Sequence, residues 1–185
     1  MHWSRGWGRV AAAALAAATL AGCAPMRVNS FVERGTDFGR LRTYVWAQTS
    51  ELSTGDPRLD NNPFFQRRLQ SDVEAQLAAR GFQKAMDGMP ADVELHYHAS
   101  VTQQISVSGV DTDSPRCEPN TSCAPIVYEK GALVLDLVDL GSKRLVWRGW
   151  ADTALDNVID NQRALEETID DAVRRILERL PRPGA

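Results

Sequence analysis

Three cysteines and three histidines are few for a chain of 185 residues. No C-x-x-C, H-E-x-x-H or similar spacing joins them, so no zinc-ribbon or zincin-type centre is written into the sequence. A glycine-rich phosphate loop, a dinucleotide fingerprint and a G-x-S-x-G elbow are also absent, which removes the commonest nucleotide-binding and serine-hydrolase signatures. Lys and Arg number 21 against 24 Asp and Glu and never cluster: Arg67-Arg68 and Arg174-Arg175 are isolated pairs on predicted helices. That balance argues against nucleic acid as a partner and against binding anionic lipid by charge. No apolar run reaches the roughly 20 residues a spanning helix needs.

What is present begins with four residues, Leu20-Ala21-Gly22-Cys23. They follow a short n-region with Arg5 and Arg9 and an apolar run from Val10 to Ala21, about a dozen residues, the length of a signal h-region. Small residues ahead of a cysteine form a lipobox, in which the Cys23 thiol takes a diacylglyceryl group before cleavage. Residues 1–22 are therefore expected to be a lipoprotein signal peptide and 23–27 a lipidated tether. A single domain over 28–181 and a tail at 182–185 complete the expected division. Ala24 rather than Asp after the cysteine, by similarity to Gram-negative lipoproteins, favours the outer membrane. Two or three acyl chains would anchor the protein far more firmly than one, at about 0.8 kcal/mol per buried methylene. Removal of the signal leaves 163 residues with 19 basic and 24 acidic side chains, a net charge of −5, enough chain for one core.

With Cys23 consumed, Cys117 and Cys123 remain. In an oxidising periplasm they are expected to form a disulfide across the turn-prone Glu118–Ser122 segment, pinning a loop more than the fold.

Periodicity gives the elements. Val28–Val32 and Leu41–Trp46 read as strands, and Ser50–Asn62 as a loop. Asn62 caps a helix with Pro63 in its first position and Phe65, Leu69, Val73 and Leu77 on one stripe, ended by Gly81. From Asp92 the period becomes two: Val93, Leu95, Tyr97, Ala99 and Val101 face one way, and Glu94, His96, His98, Ser100 and Thr102 the other. Gly109–Pro125 is a polar loop. Ile126–Val138 is a strand, Gly141-Ser142-Lys143 turns the chain, and Leu145–Ala154 returns. A last helix spans Asn161–Leu180, with Leu165, Ile169, Val173, Ile176 and Leu180 on its apolar stripe. The expected fold is α+β, a two-layer sandwich with an antiparallel or mixed sheet of four to five strands and two helices on one face. The first helix acts as a crossover and permits one parallel pairing.

Three groups of segments together resemble a known family. They are Asp37-Phe38-Gly39-Arg40 with Arg42–Trp46; Leu77–Phe82 with Ala91-Asp92 and Tyr97-His98; and Gly131–Asp139 with Arg144–Ala151. The chain is similar to the bacterial lipoprotein family called domain of unknown function 4136, from about Val28 to Pro181. The resemblance implies an outer-membrane-type lipoprotein with an α+β fold and no assigned activity, and it offers no catalytic residue to carry over. The Cys117–Cys123 loop lies outside the family pattern.

Among candidate sites, Glu94, His96 and His98 share one strand face and are plausible zinc ligands or a pH-sensitive cluster. Successive positions on one strand face are about 7 Å apart, so further ligands would have to come from elsewhere, and a polar sheet face is the favoured reading. Asp111, Asp113 and Glu118 lack the glycine a calcium loop needs. Ser106 and Ser108 lack an elbow. If Leu137 pairs with Trp147 and Val134 with Trp150, Asp136 faces Arg148 across a hairpin, and this pair is expected to set register rather than to catalyse. Trp46, Trp147 and Trp150 are expected in the core rather than in a ligand groove. The function expected from all this is a non-enzymatic envelope module at the periplasmic face of the outer membrane, without cofactor and with a protein partner. The alternative is a small-ligand or metal-binding lipoprotein using the Glu94/His96/His98 face.

Overall fold

The computed structural model describes residues 26–47, 54–60, 62–86, 88–106 and 126–184. Cys23, Cys117, Cys123, Asp111, Asp113, Glu118 and Ser108 lie outside the described residues, and so do the expected lipidation and disulfide.

The strands are β1 (Arg27–Val32), β2 (Thr43–Trp46), β3 (Gln83–Lys84), β4 (Val93–Ser106), β5 (Ile126–Asp139) and β6 (Arg144–Ala154). The helices are α1 (Pro57–Asp60), α2 (Pro63–Ala79) and α3 (Gln162–Leu177). All strands join one mixed sheet in the order β1-β6-β5-β4-β2-β3. The α+β class is as expected, but the described sheet has six strands rather than four to five. The unforeseen strand is β3, two residues long and too short to show a period. It is held to β2 by Gln83 N–H donating to Arg42 O and Ala85 N–H to Tyr44 O, both at 2.8 Å. Consequently β2 has two parallel neighbours, β3 and β4, instead of the one parallel pairing expected. The other departure is α1, a single helical turn inside the segment read as loop.

Local chemistry explains the two long helices. Asn62 Oδ1 accepts from Phe64 N at 3.1 Å and Phe65 N at 3.4 Å, with Pro63 in the first turn where its missing N–H costs nothing. Gly81 follows the end of α2 at φ +95°, a backbone conformation that any side chain would strain. Asn161 caps α3 by accepting from Ala164 N at 3.1 Å. Phe65, Leu69, Val73 and Leu77 of α2 are buried, as are Leu165, Ile169, Val173 and Ile176 of α3. They meet the inner sheet face, where Val93, Leu95, Leu135, Leu137 and Trp147 are almost fully covered. Each such side chain contributes roughly 1.5–3 kcal/mol by leaving water, so the sandwich is held mainly by this single interface.

The β5–β6 hairpin has the anticipated register: Leu137 opposite Trp147, Val134 opposite Trp150 and Asp136 opposite Arg148. β4 and β5 pair antiparallel over their whole length, from Val93 opposite Asp139 to Ser106 opposite Ile126. Among the described residues no helix is long and apolar enough to cross a membrane.

Candidate functional site

Because side chains alternate along a strand, the inner-facing run from Val93 leaves Glu94, His96 and His98 on the outer sheet face, as expected. Pairing extends this into a row that crosses three strands, with His96 opposite Asp136 and Asp136 opposite Arg148. Phe31 of β1 stands opposite Arg148 at the end of the row. His96 Nε2 lies 3.0 Å from Glu94 Oε2. Arg148 grips Asp136 with both forks of its guanidinium, Nε to Oδ1 at 2.7 Å and Nη2 to Oδ2 at 2.6 Å. That carboxylate, chiefly through its hydrogen bonds, raises the Arg148 pKa above its ordinary value. Asp136 is 5% exposed, so the bidentate partner compensates a carboxylate largely removed from water.

The row does not close into a metal centre. His98 stands opposite Val134 rather than another ligand, and among the described residues no three His, Cys, Asp or Glu side chains are grouped to hold an ion. Changing His96 and His98 together to Ala is therefore expected to shift stability by no more than about 0.5 kcal/mol, as for surface positions. Purified protein should show no stoichiometric zinc dependent on this pair. Tight zinc in the parent chain that vanishes in the double variant would reverse this reading.

A second polar region, a cleft of about 580 Å³, lies where the end of β1, the start of β4 and the β5–β6 turn meet. Its carboxylates are already engaged. Asp92 Oδ2 accepts from Arg42 N at 2.8 Å, Thr43 N at 2.8 Å and Thr43 Oγ1 at 2.9 Å. Burial works against the Asp92 carboxylate, yet these hydrogen bonds outweigh it and hold its pKa below the ordinary value. Asp139 accepts from Ser142 N, and the hydrogen bonds of Ser142 lower its pKa as well. Glu33 pairs with Arg144 at 2.5 Å. These groups fix turns and strand ends.

Sequence reasoning missed a third cluster. Arg58 of α1 contacts Asp56, Glu129 and Asp160 at 2.6, 2.6 and 3.0 Å, joining the α1 turn to β5 and to the approach to α3. Hydrogen bonding to Arg58 lowers the Asp56 pKa. Only the composition of residues 56–60 hinted at it, and composition cannot name partners far along the chain. Between the helices and the sheet lies an apolar hollow of about 70 Å³ bordered by Met26, Phe65 and Leu133, far smaller than the roughly 300–1,000 Å³ of ligand pockets. Trp147 is in the core as expected, whereas Trp46 and Trp150 are only partly covered. Trp46 stands edge-on to Tyr97 with ring centres 6.1 Å apart, and its Nε1 donates to Glu74 at 2.8 Å.

Residues 28–182 match the family described as "Domain of unknown function (DUF4136)". The chain belongs to this family. Comparison with curated proteins gives no match. Among solved structures, a PDZ domain protein from Parabacteroides distasonis superposes with a TM-score of 0.53 at 13% identity. That match covers 86% of this chain and 37% of the other, so this chain spans little more than a third of that protein's length. A DUF4136 family protein from Bacteroides thetaiotaomicron gives a TM-score of 0.49 at 14% identity, covering 83% of this chain and 94% of that one. The PelC dodecamer from Paraburkholderia phytofirmans gives 0.47 at 13%, covering 83% and 95%. At these identities the likeness concerns fold alone.

In this DUF4136 chain, the segments that carry the family resemblance include the clamps of the cleft. Asp37 Oδ1 accepts from Gly39 N at 3.0 Å, Asp92 ties β2 to β4, and the Gly131–Asp139 and Arg144–Ala151 runs form the hairpin with the Asp136–Arg148 pair.

Proposed function

We propose that this DUF4136 protein is a lipoprotein held by acyl chains on Cys23 at the periplasmic face of the outer membrane. There it serves as a non-enzymatic interaction or assembly module for an envelope protein. The observation that carries this reading is the Leu20-Ala21-Gly22-Cys23 lipobox placed after a signal-length apolar run. Cys23 lies only three residues before Met26, where the described chain begins. The polar groups of the domain support a non-enzymatic role, since Asp92 and Asp139 bind backbone and Asp136 is gripped by Arg148.

Replacing Cys23 by Ser should abolish labelling with radioactive palmitate and move the protein out of the outer-membrane fraction, leaving an unprocessed or soluble form. Palmitate incorporation that persists in the variant would sink the anchor. Cross-linking in intact envelopes followed by pull-down of the native protein should then recover a stoichiometric protein partner, and recovery of the chain alone would count against the module reading.

A further inference from the structure

The arginines of the α3 end look scattered in the sequence, but the fold gathers them beside the start of β1. A groove of about 480 Å³ is bordered by Met26, Val28, Arg174, Arg175, Glu178 and Arg179. Arg174 is ion-paired to Asp171 and Glu178, and Arg175 to Asp171. Arg179 has no side-chain partner among the described residues. From Asp171 to Arg182 the chain carries four arginines and two carboxylates, a local excess of positive charge in a chain whose overall charge is −3. Arg27, beside Met26, leaves 75% of its side chain exposed and reaches Asp152 only at 3.8 Å.

Distance along the chain decides what such a groove meets. From Cys23 to Met26 is three residues, which span at most about 10 Å whatever their conformation. The polar layer of one leaflet is roughly 5–7 Å deep. Acyl chains on Cys23 therefore leave Met26, and the groove it borders, at or just outside the layer of lipid phosphates. A guanidinium suits that layer, because its planar fork matches two phosphate oxygens. The overall charge of the chain supplies no attraction to such a surface, whereas the groove supplies it locally.

We propose that the groove between the last turns of α3 and the start of β1 is a membrane-docking surface that takes the phosphates of anionic phospholipid, with Arg175 and Arg179 as its main contacts. This rests on the Cys23 anchor. Docking gives the domain a fixed orientation, with the start of β1 and the groove-lining turns of α3 against the bilayer. The far end of β1 then stands away from it, since the six residues of β1 span about 20 Å at roughly 3.3 Å each.

The test uses full-length protein made in a lipoprotein-processing host and reconstituted in vesicles of phosphatidylcholine alone or with one-fifth phosphatidylglycerol. Arginine exposure is read by phenylglyoxal modification and mass spectrometry. Labelling of Arg175 and Arg179 should fall about five-fold or more when phosphatidylglycerol is present, while Arg34, just past the far end of β1, labels equally in both vesicles. Acylated, vesicle-bound protein whose Arg175 and Arg179 label equally in both vesicles overturns the docking surface and leaves the anchor standing. An intact mass without acyl chains ends the anchor reading itself, and the docking with it. Exchanging Arg175→Gln together with Arg179→Gln provides the second arm: with acylation and thermal transition retained, Arg27 should lose any protection that phosphatidylglycerol gives it. Unchanged protection of Arg27 would likewise contradict the proposal.

Discussion

Trp147→Ala is expected to cost about 3–5 kcal/mol, the usual range for truncating a large buried aromatic. In a domain of this size that lowers Tm by roughly 10 °C. Trp147 is 0% exposed and fits because the residue two positions on has no side chain. A Cβ at Gly149 would stand 2.4 Å from the Trp147 ring and 2.6 Å from Ile176 Cγ2. Glycine is required at 149 by close packing, not by its backbone angles. Gly149→Ala alone should therefore overpack the contact between β6 and α3 and cost about 1–3 kcal/mol. The two changes should not add. Once the indole is gone, the methyl at 149 enters vacated space, so the double variant should lose clearly less than the sum of the single losses, with a coupling of about 1–3 kcal/mol. Urea titrations of the four proteins decide it, and strict additivity would show that the ring and residue 149 do not share one space.

How far the sequence carried can be read from the same residues. α2 and α3 were legible because their stripes, asparagine caps and the closing Gly81 agree with one another. The Asp136–Arg148 pairing was legible from the alternation of the two strands and the opposite charges they carry, while a register shift between Leu137 and Val138 separates it from the pairing at the turn. Between β4 and β5 a short-turn rule cannot be applied to the sequence, because nineteen residues separate the end of β4 from the start of β5. The placement of His96 beside Asp136 therefore could not be inferred, and with it the row across the outer face. β3 was missed because two residues held by backbone hydrogen bonds leave no pattern of side chains. α1 was missed because its one turn is organised by Arg58, whose partners Glu129 and Asp160 lie far along the chain. The candidate chemistry followed the same division. The strand face bearing Glu94, His96 and His98 was readable from alternation. The engagement of the cleft carboxylates by backbone N–H groups was not, since it depends on strands meeting from different parts of the chain.

Asp92→Ala should be the most damaging loss of a single carboxylate in the cleft, at about 2 kcal/mol, because it strands several donors at once. The backbone N–H groups of Arg42 and Thr43 and the Thr43 hydroxyl all donate to Asp92 Oδ2. In return the Asp92 N–H reaches Thr43 Oγ1 at 3.0 Å, and Leu140 N donates to Asp92 O at 2.9 Å. One residue thus ties the starts of β2 and β4 to the end of β5. Asp92→Asn keeps an acceptor oxygen but loses the charge, and should cost about half as much at neutral pH. The pH dependence follows from the direction of the shift. Burial raises the Asp92 pKa and the hydrogen bonds lower it further, so the folded value is below the ordinary 3.8. A group depressed on folding gives its full stabilisation above the unfolded value and loses it as pH falls through the folded one. Asp139, Asp56 and Glu74 are depressed too and act in the same sense. The parent protein should therefore weaken from about pH 4 downward, and the Asn variant, missing one of these carboxylates, should weaken less steeply. Urea midpoints measured between pH 7 and pH 3 should show the two proteins converging as the solution is acidified. Parallel curves over that range would mean that the Asp92 charge contributes nothing to holding the strand ends together.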